Sequence, residues 1–204
     1  MSLRWLSAAL VALGVAVILL LLALDIGRWE NTLSRGDVRF KTAPTRSDLW
    51  SANETLPFHP ARRLLALDDD LTYRQTLRSF LLARPHANRW AETNVDALRS
   101  RATVSLANFI RSSRNPHRRS QAANLLGILG LGLAASDDPG QRLRFLLYAS
   151  KSFRGALTYD QNNEDAKFNL ELTLRLLQKD RQGAGAQSGT GGTTARGSDT
   201  GSGY

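Results

Sequence analysis

The chain has 204 residues, a formal net charge of +9 and no cysteine. The missing thiols exclude disulfides, thiol catalysis and cysteine-based metal sites. The charge, carried by 23 arginines and only 4 lysines, admits nucleic acid or anionic lipid as partners, although a basic surface beside a negatively charged membrane, or an arginine-rich proteome, is the plainer reading.

The first element is the run LSAALVALGVAVILLLLAL at residues 6–24, which contains no charge. As a helix these 19 residues are about 28 Å long, close to the hydrocarbon thickness of a bilayer. They predict one transmembrane helix. A cleaved secretory signal has a shorter apolar region and small residues at its cleavage site. Here the run ends Leu22-Ala23-Leu24-Asp25, which predicts retention. Trp5 and Trp29 flank the run, where indoles favour the headgroup level; Trp29 fits a packed helix extension equally well. Ala8, Ala12 and Ala16 recur every four residues, a weak signal for a dimer through the transmembrane helix. Arg4 lies upstream of the run and Arg28, Arg35, Arg39 and Lys41 lie downstream. That count places the body in the cytoplasm. A very short tail before a long apolar run is also the form of an export signal anchor, which places it outside, so both sides stay open.

The layout that follows is an anchor with flanks over 1–29, an irregular connector over 30–59, a helical domain over 60–180 and a Gly/Ser/Thr-rich tail over 181–204. The span is expected to continue as helix over 25–35, with Gly36 as its stop. Pro44, Pro57 and Pro60 make the connector irregular, while Phe40, Leu49, Trp50, Leu56 and Phe58 give it apolar groups to pack on the domain. Pro60 suits the first position of a helix over 61–67. One of Asp68, Asp69 and Asp70 is expected to cap the next helix. On that helix Tyr73, Leu77, Phe80 and Leu81 share a face, and Pro85 ends it.

A helix over 92–111 turns Val95, Leu98, Ala102, Leu106, Phe109 and Ile110 inward. Asn115 and Pro116 read as the cap and first position of a helix over 117–134. That helix is apolar nearly all round and is expected to form the buried centre. Its Gly127, Gly130 and Gly132 cost helix propensity and are expected to let neighbouring helices pack close. Helices over 141–159 and 164–179 complete the body. No stretch alternates with period two, so the chain is predicted all-α with mostly short loops. From about residue 181 the composition cannot offset its chain entropy, which predicts a disordered tail.

One specific pattern stands out. Ala149, Phe153 and Ala156 are spaced four and then three apart, followed by the turn Asp160-Gln161-Asn162-Asn163 and then Ala166-Lys167-Phe168-Asn169-Leu170. Small residues let two helices approach, and Phe153 fills the space between them. This resembles the second helix of a tetratricopeptide repeat, its turn and the first helix of the next repeat, over about one and a half repeats. The predicted packing positions are Ala149, Phe153, Ala156, Leu170 and Leu174. The pattern departs from that family at Gln161, where proline is usual, and at Glu171, where glycine is usual. The preceding helix also lies about eleven residues too far upstream for the 34-residue period.

The whole arrangement of span, helical domain, closing AKFNLELTLRLL helix and Gly-rich tail resembles small membrane-anchored proteins of high-GC bacteria. Those proteins accompany MoxR-type AAA ATPases and von Willebrand A-domain proteins. The resemblance implies a scaffold or assembly role in such a membrane complex, with the body outside the cytoplasm.

Catalytic chemistry is not visible. Gly130-Leu131-Gly132-Leu133-Ala134-Ala135 matches a dinucleotide fingerprint by letter but has no strand before it. His59, His86 and His117 lack ligand spacing, and Asp68–Asp70 lacks the rest of a calcium loop. The expectation is a non-enzyme with no cofactor and no metal. Arg111, Arg114, Arg118 and Arg119 form the densest basic cluster. It is a candidate for phosphate, lipid headgroups or an acidic partner, with a solvated helix junction as the default. It has no aromatic residues to stack bases. The leading expectation is an adaptor that binds a partner protein; the alternative is a basic helical domain that binds anionic lipid or nucleic acid.

Overall fold

A computed structural model describes residues 3–84 and 94–189. The chain is all-helical, and no strand occurs among the described residues. The helices are α1 (Leu3–Thr42), α2 (Pro60–Leu64), α3 (Leu67–Ala83), α4 (Val95–Ser112), α5 (Pro116–Leu133), α6 (Pro139–Tyr159) and α7 (Glu164–Gly189). Asx side chains cap four of them, Asn115 as the sequence indicated. Asn94 accepts from the Asp96 and Ala97 amides, Asn115 from Arg118, Asp138 from Gly140 and Gln141, and Asn163 from Ala166. Arg84, which precedes a proline, is extended and closes α3. α7 runs on through Gly189, past the change of composition near residue 181; the rest of the expected tail lies outside the described residues.

Contacts divide the chain into two units, Met1–Ala122 and Ala123–Tyr204. The division falls within α5, and the first unit takes in α1.

In the first unit α1 is one uninterrupted helix of 40 residues. Its apolar first half is exposed, and it is long and apolar enough to cross a membrane. Past residue 24 a second pattern sustains it. Leu22, Ile26, Trp29, Leu33, Gly36 and Phe40 recur at alternating steps of four and three, so they line one side of the helix. Leu49 and Trp50, Ala61 of α2, and Leu67 and Leu71 of α3 form one apolar cluster with that side. Trp29 is therefore buried in protein, as a packed helix extension requires.

Gly36 does not stop the helix. A Cβ there would lie 2.6 Å from Cδ1 of Trp50 and would collide with the Leu49 carbonyl oxygen, so glycine is what permits the close approach. Gly36→Ala is expected to destabilise the first unit by about 1–3 kcal/mol through overpacking, against a propensity gain of about 1 kcal/mol. Thermal melting of the detergent-solubilised chain checks this, and an unchanged or raised midpoint contradicts the packing. Of the connector's apolar residues, Leu49 and Trp50 are buried, but Phe58 is 78% exposed with a positive φ.

The aspartates at 68–70 do not cap α3 with their side chains; the N-cap position is Ala66, in left-handed conformation. They instead hold arginines at the start of the helix, where negative charge is favoured. Asp68 accepts from Arg62 at 2.5 Å, Asp70 from Arg74 at 2.7 Å, and Asp69 and Asp70 from Arg118 at 3.2 and 2.6 Å. α3 packs on α4. Leu106, Phe109 and Ala102 are buried on α4 as expected, while Val95, Leu98 and Ile110 are half-buried. The Tyr73 and Phe109 rings meet at 5.3 Å.

The second unit packs α6 on α7 across the four-residue turn 160–163. On α5, Gly127 and Gly130 are buried, and a Cβ at either would meet α6: the Phe153 ring in the first case, Tyr148 and Ala149 in the second. Gly132 has open space around it, so the expected close packing belongs to two of the three glycines.

Candidate functional site

α6 presents the predicted small-large-small face. Ala149, Phe153 and Ala156 are completely buried, together with Leu146. α7 meets the prediction less closely. Leu170 is half-buried, and Leu174 is 41% exposed. The inward positions of α7 are Ala166, Thr173 and Leu177. Thr173 can be buried because its hydroxyl donates to the Asn169 carbonyl at 2.7 Å. Asn169 in turn donates to Asn124 at 2.9 Å. The predicted packing role of Leu174 is thus taken by the threonine beside it, and Leu174 faces outward. Phe168 also lies on the open side.

The outward turn of Leu174 creates a groove. With Leu147 of α6 and the edge of Leu177 it gives an apolar floor, rimmed by Lys151, Arg154, Gln178 and Arg181, around about 640 Å³. The ion pairs near it engage other residues: Arg142 with Asp180, and Arg175 with Glu171. An apolar floor with a cationic rim can accept an amphipathic segment bearing acidic side chains; the described residues that line it include no carboxylate or histidine.

The predicted basic cluster is not brought together as one surface. Arg118 is committed to Asp69 and Asp70 and lies over the Tyr73 ring at 5.6 Å. Arg119 donates Nε to the Ile110 carbonyl at 2.8 Å. Arg111 and Arg114 are exposed, and Arg111 bonds Asn108 of its own helix. Two of the four are therefore joints between helices.

Gly130 to Ala135 lies at the end of α5, where the Ala134 amide bonds back to the Gly130 carbonyl and is not turned toward a ligand. No group of three or more metal-ligating side chains occurs among the described residues. His86 lies outside them.

One constellation escaped sequence reasoning. Asp25, the first residue after the apolar run, is completely buried. Its carboxylate accepts from the Thr55 amide at 3.0 and 2.9 Å, from the Leu56 amide at 3.1 Å and from Arg28 at 2.9 Å. Burial pushes this carboxyl upward. The Thr55 and Leu56 amides, the Thr55 hydroxyl and Arg28 outweigh that and hold it below its ordinary value. One turn on, Trp29 donates its indole N–H to Glu54 at 2.8 Å, and Glu54 accepts the Ala61 and Arg62 amides at the start of α2. Two acids thus fasten the connector to the foot of the apolar helix. The available signal was an aspartate directly after a greasy run, followed a turn later by tryptophan.

No family model, curated protein or solved structure matches the chain.

Proposed function

We propose that the protein is a membrane-anchored adaptor whose α6–α7 groove holds an acidic, amphipathic segment of a partner protein. The observation that carries this reading is the groove itself: exposed Leu147 and Leu174 between the cations Lys151, Arg154 and Arg181. A helix laid in a groove uses such anchors with charged neighbours. The anchor is the exposed apolar half of α1, retained in the bilayer with the body outside the cytoplasm. The tetratricopeptide-like spacing of the α6–α7 hairpin supports the same class of role. The resemblance to proteins that accompany MoxR-type ATPases and von Willebrand A-domain proteins makes a complex of that kind the setting.

The test is mild crosslinking and co-purification of the full chain from native membranes, in parallel with Leu174→Asp. The wild type is expected to recover a distinct partner. The variant, whose exposed position spares the fold, is expected to lose at least about tenfold of that yield, since a charge beside an apolar anchor removes its burial and adds desolvation. Recovery of the chain alone, or equal recovery by both, ends the adaptor reading.

A further inference from the structure

We propose that a second site, in the first unit, binds a phosphate-type oxyanion, of which the phosphodiester of an anionic lipid is the source placed beside it. This site is separate from the α6–α7 groove; only its lipid source rests on the anchoring of α1.

The site is a cleft of about 580 Å³ between the connector and α3 and α4. Arg46, Arg62, Arg78 and Arg101 line it, and no acidic side chain does so among the described residues. Two of the four charges are balanced nearby, Arg46 by Asp48 at 2.9 Å and Arg62 by Asp68 at 2.5 Å. Arg78 and Arg101 are not engaged in an ion pair among the described residues. Arg78 is fixed in place: Nε donates to the Pro44 carbonyl and Nη2 to the Thr45 carbonyl, each at 2.7 Å. Neither bond uses Nη1, and the side chain lines the cleft. Burial and the nearby charge of Arg101 both push this guanidinium below its ordinary value.

Two like charges held together over a recess are relieved by an anion between them. Guanidinium groups with neutral donors such as Gln75 match the several acceptor oxygens of a phosphate. The cleft also has a defined height. Trp29 lies on its wall, five residues beyond the last residue of the apolar run and so about 8 Å along the helix from it. An anchored chain therefore holds this recess at the headgroup level, where the phosphodiesters of lipids lie on either face of a bilayer.

The experiment uses the full chain in neutral detergent micelles and follows its melting midpoint. Inorganic phosphate and short-chain phosphatidylglycerol are titrated separately, with short-chain phosphatidylcholine and an acidic peptide as comparisons. Phosphate and phosphatidylglycerol are both expected to raise the midpoint with concentration, and phosphatidylcholine is not. Arg101→Gln, at an exposed position of α4, is expected to weaken phosphate binding at least about tenfold, while Arg114→Gln, outside the cleft, leaves it unchanged. Phosphate binding without a phosphatidylglycerol response supports the oxyanion site and assigns it to a free phosphate; it leaves the adaptor reading untouched. The proposal is overturned if neither phosphate nor phosphatidylglycerol shifts the midpoint, if only the acidic peptide does, or if Arg101→Gln binds as the wild type does.

Discussion

Phe153→Ala is expected to cost the second unit about 3–5 kcal/mol, a large share of the roughly 5–15 kcal/mol that holds a whole domain together. The ring is completely buried, and it lies directly against the backbone of Gly127 on α5. Truncation leaves a void bounded by main chain, which cannot relax inward as side chains do. The same geometry predicts a substitution whose effect depends on the background. Gly127→Ala alone is expected to destabilise by about 1–3 kcal/mol, because its Cβ would enter the Phe153 ring. In the Phe153→Ala background the three atoms nearest that methyl, all of the Phe153 ring, are gone, and the helix propensity of alanine contributes about 1 kcal/mol. The second substitution should therefore be neutral or stabilising, a coupling that denaturant titration of the four variants measures directly. Additive losses would show that the ring and the glycine are not in contact.

The second large effect is expected at Asp25. Asp25→Asn keeps the size of the side chain but replaces a carboxylate that accepts several donors by an amide that accepts through one oxygen only. Hydrogen exchange at the Thr55 and Leu56 amides is expected to accelerate at least about tenfold, a local release of the connector from α1. The wild type should show the same release in acid. Its carboxyl is held below its ordinary value near 3.8, so the stabilisation is fully present above that value. It is lost as pH falls through the lower, folded value. The variant should show no such acid step. Undiminished protection of both amides in Asp25→Asn would falsify the clamp.

What the sequence made legible was the set of elements. Periodicity placed the helices, and Asn115 and the turn at 160–163 marked ends of three of them. Gly36 misled because glycine serves equally as a helix stop and as a point of close approach, and the letter does not say which. The partner that distinguishes them, Trp50, lies in an irregular segment with no periodicity of its own. Asp68–Asp70 read as caps because capping is local, whereas the arginine that engages Asp69 and Asp70 comes from α5, nearly fifty residues away. Leu174 and Thr173 exchanged roles because hydropathy ranks leucine as the inward residue; Thr173 satisfies its hydroxyl within its own helix and so can enter the core. The groove at Leu174 was invisible for the same reason. The cleft at Arg78 and Arg101 was invisible because its arginines are scattered over more than fifty residues of chain, while the cluster that is dense in sequence is divided among separate joints.

The unbroken helix from Leu3 to Thr42, clamped at Asp25 and Glu54, has a mechanical consequence for an anchored chain. No swivel separates the bilayer from the first unit, so that unit is carried at a set height and heading. The 18 residues of α1 beyond the apolar run extend about 27 Å, and a 20° inclination of the span, ordinary for such helices, would sweep the far end sideways by roughly 9 Å. Changes in bilayer thickness would thereby be converted into movement of everything that unit carries.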